Sequence, residues 1–477
     1  GVEQMTLVHK LTLKQRDNYD EMAVAWQIVF KNMREILDDA MADGWTRGQA
    51  ESALWGAELR FFDQVLTSLQ MDTVIKDIES ELQKGNSIFI QLVNTMEAAT
   101  NRAISKISTP EELEDLDITP REILMQYLET AFPVNQYETV IDENGNEVTQ
   151  LVTDSNGNPV LNRKAVEARD ALLDRISGIK VPLGPLERIL FHFGAENVAE
   201  VTGRKRQLVM DKNGKVHTIK RGANANIEET NAYNEGRKRI CLASMAGLTG
   251  SSYHSDRTFI NQQRRIHYLV QPGYIAANAV QGLGRTHRSN EVSAPFYKLC
   301  STDVKGQRRF VSTIARRLDT LGALVKGQRE TGGQGFFDAL DNVETEYGRD
   351  ALKSLLTDIQ SGVLEPEVLN PRGFYEQTGI ELQTKGGASK VEDIPVTRFF
   401  NRMLAVKLDD QDIISDEFWH RLLARVELAR DAGTYDQGIE NIKADSIILQ
   451  DDRLIRVDEY NGAETRYVKI AVRQKNV

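Results

Sequence analysis

The chain has 477 residues, 40% of them hydrophobic and 27% charged, the balance of a globular protein of roughly three domains and not of a disordered one. No stretch approaches the ~18 uncharged apolar residues of a membrane helix. The start, Gly1-Val2-Glu3-Gln4-Met5, carries no secretory signal pattern. Two cysteines, Cys241 and Cys300, cannot build a disulfide framework or a cysteine zinc site, so a reducing, cytoplasmic compartment is expected. Net charge is 59 − 70 = −11, yet residues 201–330 hold 23 Lys+Arg against 9 Asp+Glu. A basic block inside an acidic chain is a candidate electrostatic footprint for nucleic acid.

In chain order, residues 1–80 read as a helical lead-in. Tyr19, Met22, Trp26, Val29, Phe30, Met33 and Leu37 recur at helical spacing, and a second run from Leu54 to Leu69 follows Thr46 as N-cap. Ser87–Val93 is an apolar run of buried-strand length, followed by a helix from Asn94-Thr95, the opening step of an α/β domain. Between about 133 and 221 the pattern becomes an insertion. Three Asn-Gly pairs, at 144, 156 and 213, sit between short β-prone runs as two-residue hairpin turns, and a helix is expected over 163–179. The nearby Asp142 and Asp154 lack the alternating ligands of a calcium loop.

The α/β pattern resumes with strands at Arg239–Ser244, Ile266–Val270 and Phe296–Cys300, and a helix at Ala276–Leu283. Residues 331–440 read as a helical extension, in which Ser415-Asp416 caps a helix. A short β tail follows over 441–477, clearest at Thr465–Val472, and ends as though within a larger fold. The fold class is thus α/β: one parallel-sheet domain over 81–330 with a hairpin insertion, flanked by helices on both sides. The seven histidines show no metalloprotease spacing, and no metal ligands are assigned. Neither cysteine has the neighbours of a nucleophile.

The most specific string is Gln281-Gly282-Leu283-Gly284-Arg285-Thr286-His287-Arg288. Two arginines three apart beside a short helix can direct two guanidinium forks at one phosphate cluster, and Gly284 lets the backbone turn or approach closely. This string resembles motif VI of superfamily-2 helicases, and Ser244–Ser252 resembles motif V. With Asn197–Arg204, Arg264–His267, Ser289–Pro295, Gln307–Val311 and Ala315–Leu324, the chain resembles the strawberry notch family. Ala53-Leu54-Trp55, Arg60-Phe61-Phe62, Glu346–Leu352, Phe399–Leu404 and Tyr435–Ile439 extend the resemblance over most of the chain except the hairpin insertion.

The resemblance implies a second RecA-like domain and its helical extension, the C-terminal motor half of a nucleic-acid-dependent ATPase. In that reading Arg285 and Arg288 act on the ATP phosphates, with Gln281, Gly284, His287, Gly250 and Ser252 lining the nucleotide site. Gln91, Asn94, Thr95, Thr202, Arg204 and Thr249 would touch the nucleic-acid backbone. The cofactor is ATP with Mg2+, held mainly by an N-terminal RecA-like domain in cis or trans, since no G-x-x-x-x-G-K-[ST] run occurs in these residues. This chain alone is not expected to turn over ATP. The partner is DNA, bound without sequence preference, with a methyltransferase module as a further companion and no membrane. Met245 and Tyr253 depart from the usual motif V pattern. The alternative is a non-catalytic DNA-binding or interaction scaffold on a helicase-like fold. The Asn-Gly hairpins suggest a bacterial or phage source, with nuclear residence if the chain is eukaryotic.

Overall fold

The computed structural model describes residues 2–40, 44–93, 119–245, 248, 250–271, 276–307, 314, 343–384, 386–435, 446–457 and 464–473. The chain opens with a strand, β1 (Glu3–His9), where helix was expected. Most of its side chains face solvent, so its residues carry no buried-strand signature. It is an edge strand, defined by its partner and not by its own composition. Helices α1 (Leu13–Asp39), α2 (Gly44–Leu69) and α3 (Met71–Gln83) follow. Thr12 caps α1 reciprocally with Gln15. Thr46 lies inside the first turn of α2, which begins two residues before it.

Next come β2 (Ser87–Leu92), α4 (Arg121–Thr130), the hairpin β3 (Tyr137–Ile141) and β4 (Glu147–Leu151), α5 (Arg163–Ser177) and α6 (Pro185–Phe193). After β5 (Val198–Val201) a second hairpin, β6 (Arg206–Met210) and β7 (Val216–Lys220), leads to α7 (Ala225–Asn234). Then follow β8 (Ile240–Ser244), β9 (Arg265–Leu269), α8 (Ala276–Leu283) and β10 (Phe296–Thr302). The extension holds α9 (Glu346–Ser361), α10 (Pro371–Thr378), α11 (Val396–Met403) and α12 (Leu408–Asp431). Ser415 and Asp416 lie inside α12, not at its cap, because the helix already starts at Leu408 with Asp409 and Asp410 in its first turn. The tail forms one antiparallel ribbon, β11 (Ser446–Val457) and β12 (Glu464–Arg473).

Six strands form one sheet in the order β1-β10-β9-β2-β8-β5, every neighbouring pair parallel. This is the α/β parallel-sheet fold expected of a RecA-like domain. β2, β5, β8 and β9 are buried along their whole length, which is why β2, β8 and β9 read as mostly apolar runs; β5, short and interrupted by Glu200, gives no such run. Alternation along β2 sends Ile88, Ile90 and Leu92 toward Val74 and Ile78 of α3 and Leu186 and Ile189 of α6. Phe89 faces the opposite side, against Tyr233 and Tyr253.

The lead-in is not a separate appendage. α1 and α2 share one core with α4, with α5 of the insertion, and with Leu404, Ala405 and Leu408 of the extension. The Tyr19 hydroxyl donates to the Leu404 carbonyl at 2.6 Å. A second core unites the extension helices around Phe399, Phe400 and Phe418.

The three Asn-Gly pairs do turn the chain, but through longer loops than the two-residue type. Asp142, Asp154 and Asp211 each begin a D-x-N-G-x segment whose glycine, at φ 78–81°, donates to the Asp carbonyl at 3.0 Å. Each Asp Oδ1 then accepts the amides two and four residues on, at 2.8–2.9 Å. The left-handed glycine gives the twist that flanking strands need, and the carboxylate supplies the acceptor that a shorter turn would not require.

Candidate functional site

In a parallel sheet, chemistry gathers where the strands end at their carboxyl edge. Here the segments leaving β2, β5, β8 and β9 all emerge on that edge. The loop after β8 spans Met245 to Arg264, turns at Gly250 (φ +81°), and carries Ser251, Ser252 and Tyr253. The segment after β9 carries α8 and the turn Gly284–Arg288.

These two segments are tied together along their length. The Tyr253 amide donates to the Arg285 carbonyl at 2.9 Å, and Arg285 Nη1 donates to the Ser251 carbonyl at 3.3 Å. Further on, Val292 N–H donates to the Ser255 carbonyl at 2.7 Å, and Asn290 Nδ2 donates to Asp256 Oδ1 at 3.1 Å. Arg265, fully buried at the start of β9, holds the loop from beneath. Its Nε donates to the Tyr253 carbonyl at 2.8 Å, and its Nη2 to the carbonyls of His254 (3.2 Å) and Asn261 (2.8 Å). Sequence reasoning missed this role; the signal was an arginine opening an otherwise apolar buried strand.

A second brace runs through the interior. His267 of β9 is fully buried, and burial pushes its imidazole down to about 3, so the ring is neutral. Its Nδ1 lies 2.7 Å from Thr286 Oγ1 and its Nε2 lies 3.0 Å from Gln91 Oε1. Gln91 Nε2 donates to the Ala279 carbonyl, leaving Gln91 Oε1 as acceptor; the proton therefore sits on His267 Nε2, and Thr286 donates to Nδ1. The motif VI turn is thus pinned to β2 through one histidine.

The assigned residues fall into two groups. Gln281, Gly284, His287 and Arg288 are exposed, Arg285 and Ser252 are half-buried, and Gly250 is exposed beside them on the same edge. His287 Nδ1 contacts Glu291 at 2.9 Å. The Arg288 amide donates to Glu291 Oε2 at 3.1 Å, while its guanidinium has no hydrogen bond or ion pair among the described residues. Gly284 has ordinary room for a side chain; the close approach belongs to Gly282, whose Cβ would stand 2.2 Å from the Gln91 amide.

Three residues expected at the nucleic-acid backbone are interior instead. Gln91 is fully buried between His267 and α8. Thr202 and Arg204 are buried in an ion cluster. Arg204 Nη1 reaches Glu187 Oε1 at 2.5 Å, Arg204 Nε reaches Glu200 Oε1 at 3.0 Å, and Thr202 donates to Glu200 Oε1 at 2.7 Å. Burial raises the Glu187 carboxyl despite Arg204, and burial of Arg204 is outweighed by its two carboxylates, which hold the guanidinium charged. These side chains spend their donors on partners inside the fold. Asn94, Thr95 and Thr249 lie outside the described residues, as do the matched segments at 308–311, 315–324 and 436–439.

Cys241 and Cys300 are buried and unpaired, and burial pushes both thiols up. Among the described residues no cluster of His, Cys, Asp and Glu is arranged to hold a metal, and no helix is long and apolar enough to cross a membrane.

Comparison with known proteins accords with this geometry. Residues 184–441, just over half the chain, match the family model described as the C-terminal domain on Strawberry notch homologue. Protein FORGETTER 1 of Arabidopsis thaliana is 33% identical over 341 residues, covering 63% of this chain and 26% of that protein. Strawberry notch homolog 1 of Rattus norvegicus is 25% identical over 504 residues, 88% of this chain and 40% of the relative. Strawberry notch of Drosophila melanogaster is 31% identical over 319 residues, 61% and 19%. The chain therefore spans at most two fifths of the length of these relatives. They are plant and animal proteins and give no support to a bacterial or phage source. No solved structure matches.

Proposed function

The chain belongs to the strawberry notch family and contains its C-terminal helicase domain, and from that premise we propose that it is the C-terminal motor half of a nucleic-acid-dependent ATPase. The observation that carries the proposal is the pair Arg285 and Arg288. One guanidinium is fastened to the motif V loop; the other stands exposed on the same turn with no partner among the described residues. An uncommitted guanidinium beside a braced one suits a polyphosphate, because arginine stays charged and donates in a planar fork.

ATP with Mg2+ would be shared with an N-terminal RecA-like domain that carries the phosphate loop, which these 477 residues lack. When bound, ATP would supply the phosphoryl group for hydrolysis. Arg288 would stabilise charge on that group, Arg285 would report the nucleotide to the motif V loop, and Gln281, His287 and Ser252 would border it. DNA would be held through its phosphates without sequence reading.

The test is ATP turnover with and without duplex DNA, for this chain alone and for the chain paired with the N-terminal RecA-like domain of the same protein. Turnover is expected only in the paired form, with DNA stimulation. Arg288→Ala should reduce it by about 10³-fold or more while DNA binding persists. Unchanged turnover in Arg288→Ala would sink the arginine assignment. No turnover in the paired form, with salt-sensitive DNA binding retained, would favour the scaffold reading.

A further inference from the structure

The hairpin β6–β7 lies within the segment that the family model matches, yet outside the helicase motif strings, and its surface is one-sidedly charged. Residues 205–221 contain Lys205, Arg206, Lys212, Lys215, Lys220 and Arg221 against a single carboxylate, Asp211. That carboxylate is engaged within the hairpin. It caps the turn amides of Asn213 and Lys215 and accepts from His217 Nε2 at 2.9 Å. Lys205, Arg206, Lys212 and Lys220 are exposed and form no ion pair among the described residues, whereas basic side chains elsewhere on the surface, such as Arg163, Lys164, Arg372 and Lys390, do. Like charges in cross-strand register, as at Arg206 opposite Lys220, destabilise a hairpin unless something neutralises them.

The hairpin leaves the carboxyl end of β5, next to β8, whose own carboxyl end starts the motif V loop. Its base is fixed by Arg221, which donates to the carbonyls of Thr202 (3.2 Å) and Arg204 (3.0 Å), and by Leu208, which is fully buried. The charged arm therefore springs from a rigid root on the same edge as the motif V and VI segments. A fixed basic arm with exposed Met210 and Ile219 beside its charges suits a polyanion with apolar faces between its phosphates.

We infer that the β6–β7 hairpin is a contact for the phosphate backbone of a nucleic acid, an arm that extends the track beyond the helicase core. This rests on the reading of the chain as a nucleic-acid-acting motor half. The experiment is binding of a fluorescent 30-base-pair DNA duplex by the full 477-residue chain across a series of salt concentrations. It compares wild type with the quadruple variant Lys205→Gln, Arg206→Gln, Lys212→Gln, Lys220→Gln. A charge-matched control carries Arg163→Gln, Lys164→Gln, Arg175→Gln and Lys180→Gln on and beside α5.

The hairpin variant should bind about tenfold or more weakly near 0.1 M salt, and the slope of log K against log salt should flatten by about 2–4, given ~0.9 per lost phosphate contact. The control should match wild type. An unchanged slope in the hairpin variant, or an equal loss in the control, overturns the hairpin contact while leaving the motor reading standing. Full DNA binding together with lost retention on immobilised poly-glutamate would assign the arm to an acidic protein and also overturn it. Failure of the wild-type chain to bind duplex at any salt would overturn the hairpin contact and count against the motor reading itself.

Discussion

Tyr253 and Arg285 exchange bonds across two loops: the tyrosine amide donates to the arginine carbonyl at 2.9 Å, and the arginine side chain donates back to the carbonyl two residues before the tyrosine. Tyr253 is one of the two residues that depart from the usual motif V pattern. It is buried against Phe89 and Tyr233, with its hydroxyl 3.3 Å from Thr230. The ring anchors the loop in the sheet core, and the loop in turn orients the arginine.

The two arginines of that turn should separate in a melting experiment without nucleotide. Arg285→Ala removes a partly buried bond to Ser251 and should cost about 0.5–1.5 kcal/mol. Arg288→Ala removes nothing the fold uses and should leave the melting temperature unchanged. Equal destabilisation by both would mean that Arg288 has a structural partner.

Arg204→Ala should unfold the β5 edge more readily, because Glu187 and Glu200 would be left buried without their cation. The expected cost is about 3–5 kcal/mol, read by denaturant titration. Under native conditions the salt dependence of DNA binding should stay as in wild type. A flatter salt slope with unchanged stability would instead restore Arg204 to the nucleic-acid surface.

His267 gives the fold a pH dependence whose sign follows from its burial. Its folded pKa lies at about 3, below the ordinary value of 6.5, so the unfolded chain takes up a proton that the folded chain refuses. The stability this residue contributes is fully present above pH 6.5 and is lost progressively as pH falls toward 3. Between pH 6.5 and 5 wild type should lose about 1.5–2 kcal/mol more than His267→Gln. Parallel pH profiles would show that the imidazole is not excluded from protonation.

The four central strands, β10, β9, β2 and β8, were legible because they are almost wholly buried and therefore mostly apolar, with buried polar residues such as Gln91, His267 and Lys298 as exceptions. β1 was not, since Glu3, Gln4 and Thr6 are tolerated on an edge whose identity comes from pairing with residues nearly 300 positions away. Polar residues at and just after strand ends were read as ligand contacts from the family resemblance and their place in the sequence. Position does not tell whether a side chain turns outward, like Arg288, or inward, like Arg204 and Gln91. Gly282 and Gly284 look alike in the string, and only the packing of α8 on Gln91 shows which one leaves no room for a side chain.

The pairing of β1 with β10 has a consequence for biosynthesis. Glu3 leaves the ribosome before its partner Phe296, which follows only after the intervening chain has been made, about 15–60 s later at ordinary elongation rates. Throughout that interval β1 lacks its sheet partner, and the polar residues that hid it from sequence reasoning leave it little apolar surface to expose. β9 and β10 are likewise made after the lead-in helices have emerged. A fragment beginning at residue 184, where the family match begins, would lack both β1 and β2 and would leave the sheet without its central strand.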